Sequence, residues 1–230
     1  MPPPSPSERP GNFDHTQAWQ NSDVAEQYDA RRFQSLGGRL YDSREKKVIG
    51  RLLSLAEQRG RIHDVLEMAC GTGRISELLA SRGYELTCGD VSREMQEVAQ
   101  RRLANARSKA FFKVLDIYAI AAPDASFDCV CAFRLFQHLT SDERARALRE
   151  MARVSRRFVL VNVMYTSPYY GAVRRLRQAL GRYTTRYTSS SEDIRAELRF
   201  ADLKLLRAAF TQTLFNGNLV LLAEKARPVS

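Results

Sequence analysis

Two glycines one residue apart, Gly71 and Gly73, follow a short apolar run interrupted by an acid, Glu67. In Val65-Leu66-Glu67-Met68-Ala69-Cys70-Gly71-Thr72-Gly73-Arg74-Ile75-Ser76 the run reads as a strand and the small residues as a tight turn. Ile75, Leu78 and Leu79 then open a helix. Glycine admits positive φ and lets a ligand approach the backbone closely. In an open α/β sheet, ligands sit beyond the carboxyl ends of the strands. The loop therefore predicts a nucleotide-like pocket. A dinucleotide fingerprint asks for a third glycine in G-x-G-x-x-G, and Ser76 stands there instead. A carboxylate at Glu67 repels a pyrophosphate and suits a cationic amine. A second acid, Asp90, ends the next strand, Glu85-Leu86-Thr87-Cys88-Gly89-Asp90, where it is placed to accept from both ribose hydroxyls. His138 is a candidate general base, because imidazole titrates near working pH; it equally fits a packing or hydrogen-bonding histidine.

These side chains need a scaffold. Residues 1–12, rich in Pro and Ser, read as a disordered tail, and 13–230 as one domain. Residues 13–60 read as N-terminal cap helices, with Gly37-Gly38 as a hinge or turn and a helix over 42–59. Strands are expected at 63–69, 85–90, 110–115, 127–133 and 157–164, and helices at 74–82, 93–106 and 141–153. Gly83 closes the first of these helices, Ser92 caps the second and Ser141 the third. Five strands alternating with helices make a parallel α/β sheet. A helix over 191–201, capped by Ser191-Glu192-Asp193, precedes two strands at 203–214 and 219–224 joined by Phe215-Asn216-Gly217-Asn218, a hairpin signal.

The chain of 230 residues fits one α/β domain, and no apolar run approaches the ~20 residues of a bilayer span. The Met-Pro-Pro-Pro-Ser-Pro-Ser start lacks an apolar signal core, so a cytoplasmic location is expected. Cys70, Cys88, Cys129 and Cys131 fall in or beside strands at spacings that suit neither a metal nor a disulfide framework, and read as reduced packing residues. The net charge of +10 permits nucleic-acid or anionic-membrane contact, and also fits arginines spread over solvated helix faces.

The string LEMACGTGRIS resembles the first motif of the class I S-adenosylmethionine (SAM) dependent methyltransferases, an acid followed by a small-residue G-x-G. Ala69 stands where many members carry another glycine. The resemblance covers roughly residues 24–226 and is most specific at 65–74, 85–90 and 127–139. It implies a doubly wound, seven-stranded, mostly parallel sheet with an antiparallel C-terminal hairpin strand and helices on both faces. It also implies SAM as cofactor, held by Glu67, Ala69, Cys70, Gly71, Thr72, Gly73 and Arg74, then by Asp90, Val91 and Met95. Dinucleotide-binding folds and class I methyltransferases share the ribose geometry, so Asp90 alone does not separate them. Tyr28-Asp29-Ala30-Arg31-Arg32-Phe33 resembles the element preceding the core in small-molecule methyltransferases. There Tyr28 would form an aromatic wall and Arg32 meet the methionyl carboxylate; the segment equally fits a surface helix with an apolar stripe. Asp116 and Ile117 would lie against the adenine, although Asp116 also fits a capping or turn residue. Phe127-Asp128-Cys129-Val130 through His138-Leu139 looks like the fourth motif, whose end brings backbone around Phe133 and Arg134, together with His138, beside the sulfonium.

Residues 165–190 form a basic insert after the fifth strand, with Arg174, Arg175, Arg177, Arg182 and Arg186 and no acid or lysine. It reads as a lid, with Tyr165, Tyr169 and Arg174 as candidate substrate contacts. The resulting expectation is methyl transfer to a small-molecule, saccharide or lipid-like acceptor, selective for an acidic one through the insert. The same insert could meet a membrane surface, or RNA by phosphate contact and stacking. The alternatives are a nucleic-acid methyltransferase, a catalytically silent SAM-binding protein, and an NAD(P)-dependent oxidoreductase; Ser76, Glu67 and the terminal hairpin count against the last.

Overall fold

The computed structural model describes residues 35–104, 109–166, 187–211 and 217–226. Helix α1 (Leu36–Arg59) buries Ile49, Leu52, Leu53 and Ala56, the stripe visible in the sequence. It starts earlier than the sequence suggests. Gly37 and Gly38, expected as a hinge, lie in its first turn, where the Ser35 hydroxyl accepts from the Gly38 N–H at 3.1 Å. The chain continues through β1 (Asp64–Met68), α2 (Arg74–Ser81), β2 (Glu85–Asp90), α3 (Arg93–Leu103), β3 (Ala110–Val114) and β4 (Phe127–Ala132). A 3₁₀ turn at Phe136–His138 leads into α4 (Ser141–Val154) and β5 (Ser155–Met164). Then come α5 (Ser191–Phe200), β6 (Leu203–Phe210) and β7 (Asn218–Lys225).

Local chemistry sets the helix ends. Ser92 caps α3 by accepting from the Met95 N–H, and Gly83 takes a left-handed φ of 85° just past α2. Two expected caps are off by one residue. Thr140, not Ser141, caps α4 in a reciprocal box with Glu143, and Ser190, not Ser191, caps α5 with Asp193. Both obey the rule that a Ser or Thr cap pairs with an acid three residues on.

The sheet has the order β3-β2-β1-β4-β5-β7-β6. The first five strands are parallel, and β7 is antiparallel to both β5 and β6. Consecutive residues of one strand enter opposite cores. Val65 packs with α1 and α2, whereas Leu66 packs with α4 and α5. Both faces are therefore covered, as a parallel sheet requires. Each buried aliphatic contributes roughly 1.5–3 kcal/mol, so these two layers hold the fold and leave the strand ends free for chemistry. The four cysteines are free and buried, as expected, and burial pushes the Cys129 thiol up to about 12.

At the amino edge, Asp128 accepts from the main-chain N–H groups of His63 and Asp64 and pairs with Arg156, tying β4 to β1. His63, Asp64 and Glu85 gather at that edge as well, but Asp64 is already engaged by Arg156 at 2.8 Å. Strand order reverses between β1 and β4, so the carboxyl ends of β1, β2 and β4 form the crevice where ligands bind in such sheets.

Candidate active site

The loop between β1 and α2 is left-handed three times over, at Ala69 (φ 52°), Gly71 (φ 54°) and Gly73 (φ 77°). It closes through Gly73 N–H on the Cys70 carbonyl at 3.0 Å and is pinned to β2 by Cys70 N–H on the Gly89 carbonyl at 3.1 Å. The two glycines serve different needs. A Cβ at Gly73 would stand 2.9 Å from Ala99 Cβ, so that glycine lets α2 and α3 approach. Among the described residues, a Cβ at Gly71 would meet nothing within 4 Å. These residues leave space open over the loop where a ligand would come against the backbone.

Two buried acids flank that space. Glu67 on β1 is 2% exposed and accepts from the Ser76 hydroxyl at 2.5 Å. Burial pushes its carboxyl up to about 8, against the pull of Ser76 and Arg74. Asp90 ends β2, with one oxygen accepting from Gly71 N–H at 2.8 Å and the other from Ser92 N–H at 3.0 Å. Burial raises its carboxyl, and those backbone donors hold the rise back. Asp90 thus fixes the glycine loop, and a carboxylate, with about four lone-pair sites, keeps acceptor capacity for a ligand hydroxyl beyond these backbone donors. Gln96 on α3 donates to the carbonyls of Asp90 and Lys113, bracing the ends of β2 and β3. Val91 is 36% exposed beside the opening, whereas Met95 and Thr72 are buried.

Other expected residues are spread around this centre. Asp116 is exposed and accepts from Tyr118 N–H at 2.9 Å, as a turn aspartate does, and Ile117 is packed in the core. Phe133 is buried, and Arg134 takes a left-handed φ of 62° at the end of β4. His138 lies half-buried in the 3₁₀ turn, its Nε2 3.1 Å from Gln137 Nε2. Tyr165 follows β5 and meets Phe210 edge-to-face, centroids 5.8 Å apart. Tyr28, Arg32, Tyr169 and Arg174, the 1–12 tail and most of the 165–190 insert lie outside the described residues.

A second polar cluster was not read from the sequence. Glu45 of α1, fully buried, binds Arg74 at 2.5 Å and Arg134 at 3.5 Å and accepts from the Tyr41 hydroxyl at 2.9 Å. Asp42 binds Arg74 from the same helix. The Arg134 guanidinium also lies over the Tyr41 ring at 4.7 Å. Two signals were present: an acid on the apolar stripe of α1, four residues before Ile49, and Asn162 within the apolar run of β5.

Residues 65–157 match the family described as a methyltransferase domain. The surrounding architecture is the class I SAM-dependent methyltransferase fold. It superposes on magnesium protoporphyrin IX methyltransferase of Synechocystis PCC 6803 with bound SAH at a TM-score of 0.77, covering 93% of this chain and 100% of that one at 17% identity. A SAM-dependent methyltransferase from Clostridium acetobutylicum gives 0.64, with 89% and 98% covered at 16% identity.

By sequence, the chain is similar to YqeM of Bacillus subtilis, named as a methyltransferase, at 34% identity over 99 residues. That match covers 42% of this chain and 38% of YqeM. An uncharacterised methyltransferase of Bacillus licheniformis matches at 29% identity, covering 40% and 42%. The matched stretch thus spans about two fifths of the length of these curated relatives.

Proposed function

We propose that the protein is an enzyme that moves a methyl group from SAM to a nucleophilic atom of a small-molecule acceptor. The observation that carries this reading is the acid-flanked glycine loop: open space over Gly71, with buried Glu67 and Asp90 at the ends of adjacent strands. The donor set fits. Asp90 retains acceptor capacity for ribose hydroxyls, Glu67 offers a carboxylate to the methionyl amine, and the main chain at Phe133 and Arg134 lines the methionyl chain. Asp116 with Ile117 takes the adenine side, and Tyr28 and Arg32 close the pocket from the N-terminal segment. The antiparallel β7 between β5 and β6 argues against a plain dinucleotide-binding sheet.

SAM, when bound, supplies an electrophilic methyl carbon on a sulfonium leaving group. In the transfer the carbon–sulfur bond breaks, the acceptor's lone pair forms the new bond, and the thioether S-adenosylhomocysteine departs. The chain's own task is alignment, and proximity supplies much of the rate. Where the acceptor is a hydroxyl, His138 takes its proton; an amine acceptor needs no such help. Tyr165, Tyr169 and Arg174 contact the acceptor, with the insert's arginines favouring an anionic one. A cytoplasmic location accords with the four buried free thiols.

Calorimetric titration with SAM, S-adenosylhomocysteine and NAD tests the cofactor, followed by labelled-methyl transfer into fractionated small molecules and RNA. Binding of SAM and its product but not NAD is expected, with label entering a small molecule. Binding of NAD alone overturns the assignment. Label entering RNA, with salt-dependent binding, replaces the acceptor class. Asp90→Ala should weaken SAM binding at least tenfold, and His138→Ala far less.

A further inference from the structure

The buried cluster under α1 is a closed ring in which Arg134 donates at both of its links and Glu45 accepts at both of its own. The Arg134 main-chain N–H donates to Asn162 Oδ1, and Asn162 Nδ2 donates to Asn218 Oδ1 at 2.6 Å. Asn218 Nδ2 donates to the Tyr41 hydroxyl, which donates to Glu45 Oε1 at 2.9 Å. Glu45 Oε2 then binds the guanidinium of Arg134, which closes the ring. The ring runs through α1 and the ends of β4, β5 and β7, and Asn218 Nδ2 also reaches Glu45 Oε1 at 3.5 Å. The same carboxylate reaches outside the ring to Arg74, the first residue of α2 beyond the glycine loop.

A non-glycine residue at φ 62° persists only where its surroundings over-determine it. At Arg134 the surroundings are this ring: Asn162 holds the amide, Glu45 the guanidinium and Tyr41 its face. We propose that Glu45 is a positioning residue of the cofactor site, the anchor through which α1 sets both loops facing the cofactor, by way of Arg74 at the glycine loop and Arg134 at the end of β4. This rests on the SAM reading above for its ligand, but not for its mechanics. Glu45 touches no reacting atom. It acts by fixing backbone that would line the methionyl chain, and it couples α1 to cofactor affinity.

The test uses the full chain as Glu45→Gln, which keeps the shape and removes the charge shared by the two arginines. Arg51→Gln, further along α1, is the control. Hydrogen exchange without ligand should show amides around residues 133–138 and 70–74 losing protection in Glu45→Gln and not in Arg51→Gln. SAM affinity well below the melting temperature should fall about tenfold, with Glu45→Asp recovering part of it. A lowered melting temperature with unchanged exchange at both loops and unchanged SAM affinity overturns the proposal and leaves Glu45 a structural ion pair. If Glu45→Gln does not fold, Tyr41→Phe opens the ring at one hydroxyl while keeping the ring face under Arg134. It should loosen 133–138 and weaken SAM severalfold, and no change in either measurement overturns the proposal. Loop loosening in a protein whose wild type binds no SAM sinks the cofactor reading while the positioning role stands.

Discussion

The two glycines of the loop separate stability from binding. Alanine at Gly73 places its Cβ 2.9 Å from Ala99 Cβ and 3.1 Å from Ala99 Cα, at a φ of 77°. Overpacking against backbone costs roughly 1–3 kcal/mol, and the left-handed conformation adds about 1–2 kcal/mol. Urea unfolding of Gly73→Ala should show that loss. Valine at Gly71 meets open space, so it should pay mainly the left-handed strain in stability while blocking the approach of the ligand. Its SAM affinity should fall much further than that of Gly73→Ala measured where both are folded.

Glu67 gives a pH test. Its folded carboxyl lies at about 8 against 4.5 for an ordinary one. The native state therefore binds its proton more tightly than the unfolded chain. The stability this carries is full below about pH 4.5 and is lost as pH rises through about 8. Relative to Glu67→Gln, the wild-type melting temperature should decline across that window; parallel pH profiles would remove the assignment. A bound cation favours the carboxylate, so SAM binding near pH 7 should release protons, read as a binding enthalpy that varies with the buffer's ionisation enthalpy.

Helices α4 and α5 are joined by a salt bridge at the interior. Arg144 and Glu197 are 3% and 4% exposed, with Arg144 donating to Glu197 Oε1 from Nε at 3.0 Å and from a terminal nitrogen at 2.8 Å. Ser141, next to the Thr140 cap, donates to the same oxygen at 2.8 Å. Removing one partner of such a pair leaves a buried charge and costs about 3–5 kcal/mol. Glu197→Ala should lower the denaturation midpoint accordingly while leaving SAM affinity near wild type, because α5 packs on the face away from α1 and α2. The alternation of strand and helix, the glycine loop, its acids and the terminal hairpin were legible because each is a local signal of period, turn chemistry or charge. The start of α1 was not, because Ser35 capping and downstream packing outweigh two helix-poor glycines. Nor was the Glu45 ring, whose partners sit on four elements far apart in sequence and meet only when β7 inserts between β5 and β6. At Asp90 the sequence showed an acid at the end of a strand; the structure adds that it braces the glycine loop through the Gly71 N–H.

The carboxyl ends of β1, β2 and β4 and the first turn of α2 border one crevice, and Asp42 and Glu45 tie α1 to it through Arg74 and Arg134, so a ligand seated there would bond to several elements at once. A ligand that binds only the folded chain stabilises it by mass action, about 2.7 kcal/mol at a hundred times its Kd. For a chain of this size each kcal/mol moves the melting temperature by roughly 2–4 °C. SAM at that excess should therefore raise the midpoint by roughly 5–11 °C, and S-adenosylhomocysteine should do so comparably, since both would present the same ribose and amino-acid groups to the proposed site at Asp90 and the glycine loop. NAD should leave the midpoint unchanged, because its pyrophosphate would face Glu67 where the loop offers no third glycine. The net charge of +10 gives every anion some weak affinity, so the comparison belongs at physiological salt, where a screened, unspecific gain fades and a seated nucleoside's does not. A rise for NAD equal to that for SAM at such salt would mean that the crevice reads an adenine nucleotide and not a sulfonium.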